Sequence, residues 1–195
     1  MDSFWGNIFK SREKREEEIT AVLKKIPIFE ELNPREVSSI ERILHRRTYR
    51  PGEVIFHQGD AGVGMYIIER GTVEIILEPV NQVVAEIRDG EFFGELALLD
   101  ESPRSATARA KTECRMLGFF QSDLFGLIER DPRLGVKIVL RLASIIGDRL
   151  KHSNQQMQQL MHRIHELETQ IQQLKETTAK GGRKKSRQAS ADAPS

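Results

Sequence analysis

The residues best suited to chemistry lie in one short run, Phe93 to Thr107, which reads FGELALLDESPRSAT. Gly94 has no Cβ and reaches positive φ cheaply, so the backbone there can come close to a ligand. Glu95 to Leu99 can form one helical turn directly after it, and the unpaired N–H groups at the start of such a turn favour a phosphate. Pro103 is expected to stop the turn. Arg104 then supplies a permanently charged, planar fork of donors that suits a phosphate diester. Glu95, an acceptor when ionised, suits a sugar hydroxyl rather than a phosphate. An acid directly after the glycine, an arginine and a backbone cradle within fifteen positions describe a site for a sugar phosphate, not for acid–base catalysis.

Phe93, Gly94, Glu95, Ala97, Leu98, Pro103, Arg104, Ala106 and Thr107 resemble the phosphate-binding cassette of cyclic nucleotide-binding domains. PGEVIFHQGD at Pro51–Asp60 and YIIERGTVEI at Tyr66–Ile75 extend the resemblance, which covers roughly the span from Ile26 to Asn154. It implies that Glu95 holds the ribose 2′-hydroxyl and Arg104 the cyclic phosphate of cAMP or cGMP, with backbone N–H groups near Gly94, Leu96 and Ser105 assisting. Ser105 is neither the alanine of some cAMP binders nor the threonine associated with cGMP, so the purine stays open, with cAMP the expectation. An ion pair between Glu95 and Arg104 on a plain surface turn is the alternative.

No other set of side chains converges on chemistry. His45 and His57 have no carboxylate or cysteine cluster beside them in sequence, and His162 and His165 fall at outward f and b positions of a heptad. No metal, no further cofactor and no enzymatic activity are therefore expected. The single cysteine, Cys114, excludes an internal disulfide and sits in an apolar-alternating segment, where a packed thiol is expected. That usage fits a reducing cytoplasm. The net charge of +1 conceals balanced acids and bases and gives no broad basic surface for nucleic acid. No run approaches the roughly 18 apolar residues of a membrane span. The expected location is the cytoplasm, and an ion-channel subunit is not expected.

The elements that must position the cassette emerge from patterning. Residues 1–25 read as a helical, amphipathic extension, with Phe4, Trp5, Ile8 and Phe9 at helical spacing and Ile19, Val22 and Leu23 resuming the stripe. The aromatics there could anchor a partner or a membrane surface, or simply cover an exposed edge of the domain. Asn33-Pro34-Arg35-Glu36 is a capping box, which predicts a helix from Pro34 to about Leu44. From Arg47 to Gly118 short alternating segments are punctuated by Pro51-Gly52, Gly59-Asp60, Gly71 and Asp89-Gly90. That pattern predicts a compact antiparallel β unit. The resemblance implies that it closes as a β-roll of the double-stranded β-helix or jelly-roll kind, interrupted late by the cassette. Ser122-Asp123 is expected to cap a second helix, and Asp131-Pro132 a third, very long one. The fold class is thus α+β, with a nucleotide-binding domain over residues 26–131.

Over residues 132–176 Ala143, Leu150, Met157, Ile164 and Ile171 occupy one heptad position, and Ile146, Ser153, Leu160, Leu167 and Leu174 the other. The pattern predicts a parallel two-stranded coiled coil, with Arg163 and Glu168 as a g-to-e′ pair. Residues 177–195, basic and rich in Gly, Ser and Ala, are expected to be a disordered tail. By resemblance to activators of the catabolite activator type, Ser153 and Asn154 on the long helix contact the purine, and Arg149 links Glu95 to that helix. Ser153 could instead serve only to set register, and Arg149 could be a solvated g-position residue. The residues after Asn154 carry no helix-turn-helix pattern, so DNA is not an expected partner. The sequence therefore reads as a dimeric cyclic nucleotide sensor acting on an unidentified protein effector. The alternative is a coiled-coil scaffold whose β-roll binds nothing.

Overall fold

Apolar alternation between Gly- and Pro-marked turns folds into eight strands, which the computed structural model arranges as two four-stranded antiparallel sheets. Residues 19–100 and 102–191 are described. The strands are β1 (His45–Tyr49), β2 (Val54–Phe56), β3 (Gly64–Arg70), β4 (Val73–Leu77), β5 (Gln82–Ile87), β6 (Phe92–Phe93), β7 (Thr107–Ala110) and β8 (Cys114–Phe120). One sheet runs β1-β8-β3-β6 and the other β2-β7-β4-β5. This is the expected β-roll. A 3-10 turn, Glu95–Leu98, interrupts the path from β6 to β7.

Helix α1 spans Pro34–Glu41, shorter than the predicted end near Leu44, because the chain must straighten into β1 at His45. Its capping box forms as read: the Asn33 side chain accepts from the backbone of Arg35 and Glu36 at 3.0 Å, and Glu36 accepts from Asn33 N–H at 2.7 Å. Helix α2 covers Gln121–Arg130. Its cap departs from expectation. Phe120 holds the N-cap position, and Asp123 reaches back to accept from Phe120 N–H at 3.0 Å, leaving Ser122 inside the first turn. Helix α3 opens at Pro132, with Asp131 accepting from Leu134 N–H at 3.1 Å.

Two apolar clusters hold the domain. Between the helices and the first sheet lie Phe29, Ile40, Phe119, Leu124, Leu127, Ile138 and Leu142, joined by Ile19 and Leu23. Those two place the resumed N-terminal stripe in the core; Phe4, Trp5, Ile8 and Phe9 fall outside the described residues. Between the two sheets lie Tyr66, Ile68, Phe93, Cys114 and Met116. Cys114 is the packed thiol expected: its Sγ donates to the carbonyls of Thr72 and Thr112 at 3.3 and 3.4 Å, and burial pushes its pKa up. The start of α3 is tied to residues before α1 and to α1 itself. Lys137 donates to Glu31 O at 2.7 Å and pairs with Glu36 at 3.1 Å, while Arg141 donates to Pro27 O at 2.9 Å and pairs with Glu30.

The chain divides into two compact units, one ending at Ile146 and the other beginning at Gly147. Ile146, the first residue of its heptad position, packs against the domain core. In the second unit Leu150, Met157, Leu160, Ile164, Leu167 and Ile171 are exposed on the single chain, between 43% and 65%. Arg163 pairs with Glu166 of its own helix at 3.0 Å. Helix α3 extends to Ala191, so residues 177–191 are helical where the sequence reading expects a disordered tail. The physical reason lies in composition: Ala, Lys, Arg and Gln are good helix formers, and the next proline is Pro194.

Candidate functional site

Gly94 follows β6 in the left-handed region, φ +76°, and that turn allows Glu95–Leu98 to wind as a 3-10 turn immediately afterwards. The turn closes at Leu99, well before Pro103. Pro103 therefore does not stop it. Instead Pro103 forms an isolated bridge with Ala61, and its neighbour Arg104 exchanges backbone bonds with the loop after β2, donating to Asp60 O at 2.8 Å and accepting from Gly59 N–H at 2.9 Å. Gly62 of that loop packs so closely on the turn that a Cβ would stand 2.7 Å from the Cβ of Ala97. Three segments distant in sequence thus converge on the cassette: the loop after β2, the 3-10 turn and the start of β7.

Two ionisable side chains are withdrawn from solvent here. Glu95 and Arg104 are each only 7% exposed, and with Thr107 they are the buried polar residues of the described chain. Arg104 donates from Nη2 to Gly64 O at 2.7 Å and from Nη1 to Gly94 O at 3.2 Å. Its Cζ lies 4.1 Å from the centroid of the Phe56 ring. Its Nε is buried without a hydrogen-bond partner among the described residues. Burial pulls the guanidinium pKa down, opposed by Tyr66, Asp60 and Glu95; an arginine is not deprotonated in a protein, so it stays charged. A buried cation with a spare donor costs free energy that an anionic partner could recover.

Leu96 and Ser105, whose backbones the sequence reading assigns to the cradle, flank these two groups and have exposed side chains. A 3-10 turn leaves its first N–H groups without partners inside the turn, which suits an anion at this end. Arg149, Ser153 and Asn154 lie on α3 in the second unit, all three exposed.

Sequence reasoning missed the groups that seat Arg104, namely Phe56, Gly64 O and Asp60 O. It also missed the cluster behind them. Thr107 donates to Glu78 at 2.6 Å and accepts from Gln58 N–H at 2.8 Å, and Gln58 in turn accepts from Glu78 N–H at 2.8 Å. The Thr107 hydroxyl holds the Glu78 carboxyl below the usual carboxylate range, helped by His57, whose Nδ1 lies 3.6 Å away. The two histidines without local acids thus have distant ones: His57 meets Glu78, and His45 meets Asp123 at 3.2 Å. The only forewarning was that His57, Gln58 and Asp60 fall within PGEVIFHQGD. Among the described residues no three His, Cys, Asp or Glu side chains gather into a metal set. No helix among them is long and apolar enough to cross a membrane.

Residues 46–131 match the family of the cyclic nucleotide-binding domain. Over 135 residues the chain is 35% identical to the cyclic AMP receptor protein of Thermus thermophilus, covering 68% of this chain and 61% of that protein. It is 40% identical over 96 residues to the cAMP-dependent protein kinase regulatory subunit of Emericella nidulans, covering 49% of this chain and 23% of that one. The crystal structure of Thermus thermophilus catabolite activator protein superposes with a TM-score of 0.62 at 34% identity, over 69% of this chain and 62% of that one. The chain therefore spans about three fifths of the bacterial relative and about a quarter of the kinase subunit.

Proposed function

Because residues 46–131 belong to the cyclic nucleotide-binding domain family, we propose that this protein is a cyclic nucleotide sensor that transmits binding to a protein effector and performs no catalysis of its own. The observation that carries this reading is the pairing of a buried acid, Glu95, with a buried base, Arg104, whose Nε has no protein partner among the described residues. Arg104 holds the cyclic phosphate and Glu95 the ribose 2′-hydroxyl, with the backbone of Gly94, Leu96 and Ser105 shaping the cradle. cAMP is the preferred ligand, since the receptor and kinase subunit it resembles are both named for cAMP. Binding needs no cofactor or metal: the charge on the phosphate is met by the guanidinium and by backbone dipoles.

The remaining parts of the reading concern the long helix. Its exposed apolar seam supports a parallel homodimer through α3, which would be buried only against a second copy. Ser153 and Asn154 contact the purine and Arg149 links Glu95 to the helix, so that ligand occupancy biases the helix position by its difference in affinity between the two states. The output passes along the helix to an effector rather than to DNA, and the protein works in the cytoplasm.

Nucleotide analogues test the assignment of the two buried groups. 2′-Deoxy-cAMP should bind the wild type at least tenfold more weakly than cAMP, and Glu95→Ala should erase that difference. Equal affinity for the two nucleotides in the wild type contradicts the role given to Glu95. Parallel titration with cGMP reports the purine preference.

A further inference from the structure

The cation at the heart of the site is seated by contacts of two kinds. Two of its five N–H groups are spent on Gly64 O and Gly94 O, and these bonds fix the rotation of the guanidinium about its own centre. Arg104 also lies over the Phe56 ring, with Cζ 4.1 Å from the ring centroid. A planar cation over an aromatic face is attracted by the ring quadrupole, and more strongly where water is excluded, as it is around a residue 7% exposed.

Phe56 is itself held in place. It closes β2, opposite Ala108 of β7, at a point where the register between these strands shifts. Its ring meets Phe93 at 5.8 Å and Tyr66 at 6.2 Å, and those two rings stack on each other at 5.7 Å. Phe93 belongs to β6, just before Gly94, so one aromatic cluster braces the floor under Arg104 and the entry to the 3-10 turn together.

We infer that Phe56 is a positioning residue for the anion: its ring fixes the plane of the Arg104 guanidinium, so that the donors not held by Gly64 and Gly94 are presented together to the cyclic phosphate. The inference rests on the reading of the cassette as a cyclic nucleotide site. It adds that affinity is set partly by a side chain that touches no ligand atom. An aliphatic residue at position 56 would fill the space but offer no quadrupole, and the guanidinium would tilt.

The test is calorimetric titration of the full chain with cAMP for the wild type, Phe56→Leu, Phe56→Met and Phe56→Tyr, with the thermal midpoint of each measured alongside. The expected result is about tenfold weaker binding in the Leu and Met variants and recovery to within about threefold of the wild type in the Tyr variant, which restores the ring. Two aliphatic replacements of different shape guard against one of them failing to fold. Saturable wild-type binding with unchanged affinity in a folded Leu or Met variant overturns the inference and leaves the sensor reading intact. A Tyr variant as weak as the Leu variant, at an unchanged thermal midpoint, also overturns it. No saturable binding in the wild type overturns the sensor reading and this inference with it.

Discussion

Arg104 is the residue on which the proposed binding turns, and its neighbours show how narrow its seat is. A Cβ on Gly94 would stand 2.6 Å from Arg104 Nη1 and 3.3 Å from Gly64 O, at a φ of +76° that side chains rarely adopt. Gly94→Ala should therefore strain the backbone by about 1 kcal/mol and displace the guanidinium, the more yielding of the two partners. The expected outcome is a modest fall in thermal midpoint with a larger loss of cAMP affinity, about tenfold or more, read by melting and titration of the same sample. A variant that binds like the wild type contradicts the seat described here. That Gly94, Glu95 and Arg104 would come together was legible in the sequence, because all three lie within one short run. Phe56 and the Gly64 carbonyl were not. Their roles depend on the loop after β2 folding back onto Pro103 and Arg104, a contact between segments far apart in the chain that no local pattern announces.

At the scale of elements, the capping box of α1 does double duty. Asn33 and Glu36 satisfy each other's backbone, and Glu36 also receives Lys137 from α3. Asn33→Ala should cost about 1 kcal/mol, measured by chemical denaturation. The bond from Asn33 N–H, with Lys137 adding to it, holds the Glu36 carboxyl below the usual carboxylate range. A depressed folded-state pKa means that the ionised form stabilises the fold at neutral pH, fully above the unfolded carboxylate value of about 4.3, and that this contribution is lost as pH falls through the lower folded value. Glu36→Gln should thus be less stable than the wild type at neutral pH, and the gap should close below about pH 4. A gap that persists unchanged in acid contradicts this account. Capping and turn signals made α1, the strands and the opening of α3 readable in advance, since each rests on a few neighbouring residues. The cap of α2 was misread because Ser122-Asp123 looks like an N-cap pair, whereas Asp123 serves from inside the helix, where it also meets His45 of β1.

For the whole molecule, the β-roll and the long helix make separate demands. The roll buries its apolar residues within the chain, whereas α3 beyond Gly147 leaves an apolar seam exposed. A seam of this kind predicts a second copy, and replacing Leu160 and Leu167 by Lys should convert a dimer to a monomer in sedimentation velocity while the roll stays folded. A wild-type chain that sediments as a monomer at tens of micromolar contradicts the dimer. The heptads were plain from spacing; how far helix extends past residue 176 was not, because glycine and charge argue one way and Ala, Lys, Arg and Gln the other. The central claim is that the buried Arg104 exists to bind a cyclic phosphate. The direct measurement is a calorimetric titration of the full chain with cAMP beside Arg104→Ala. The account predicts saturable binding near one nucleotide per chain in the wild type and a loss of about a hundredfold or more in the variant. No wild-type binding at high micromolar cAMP, or equal binding by a folded Arg104→Ala protein, would contradict it.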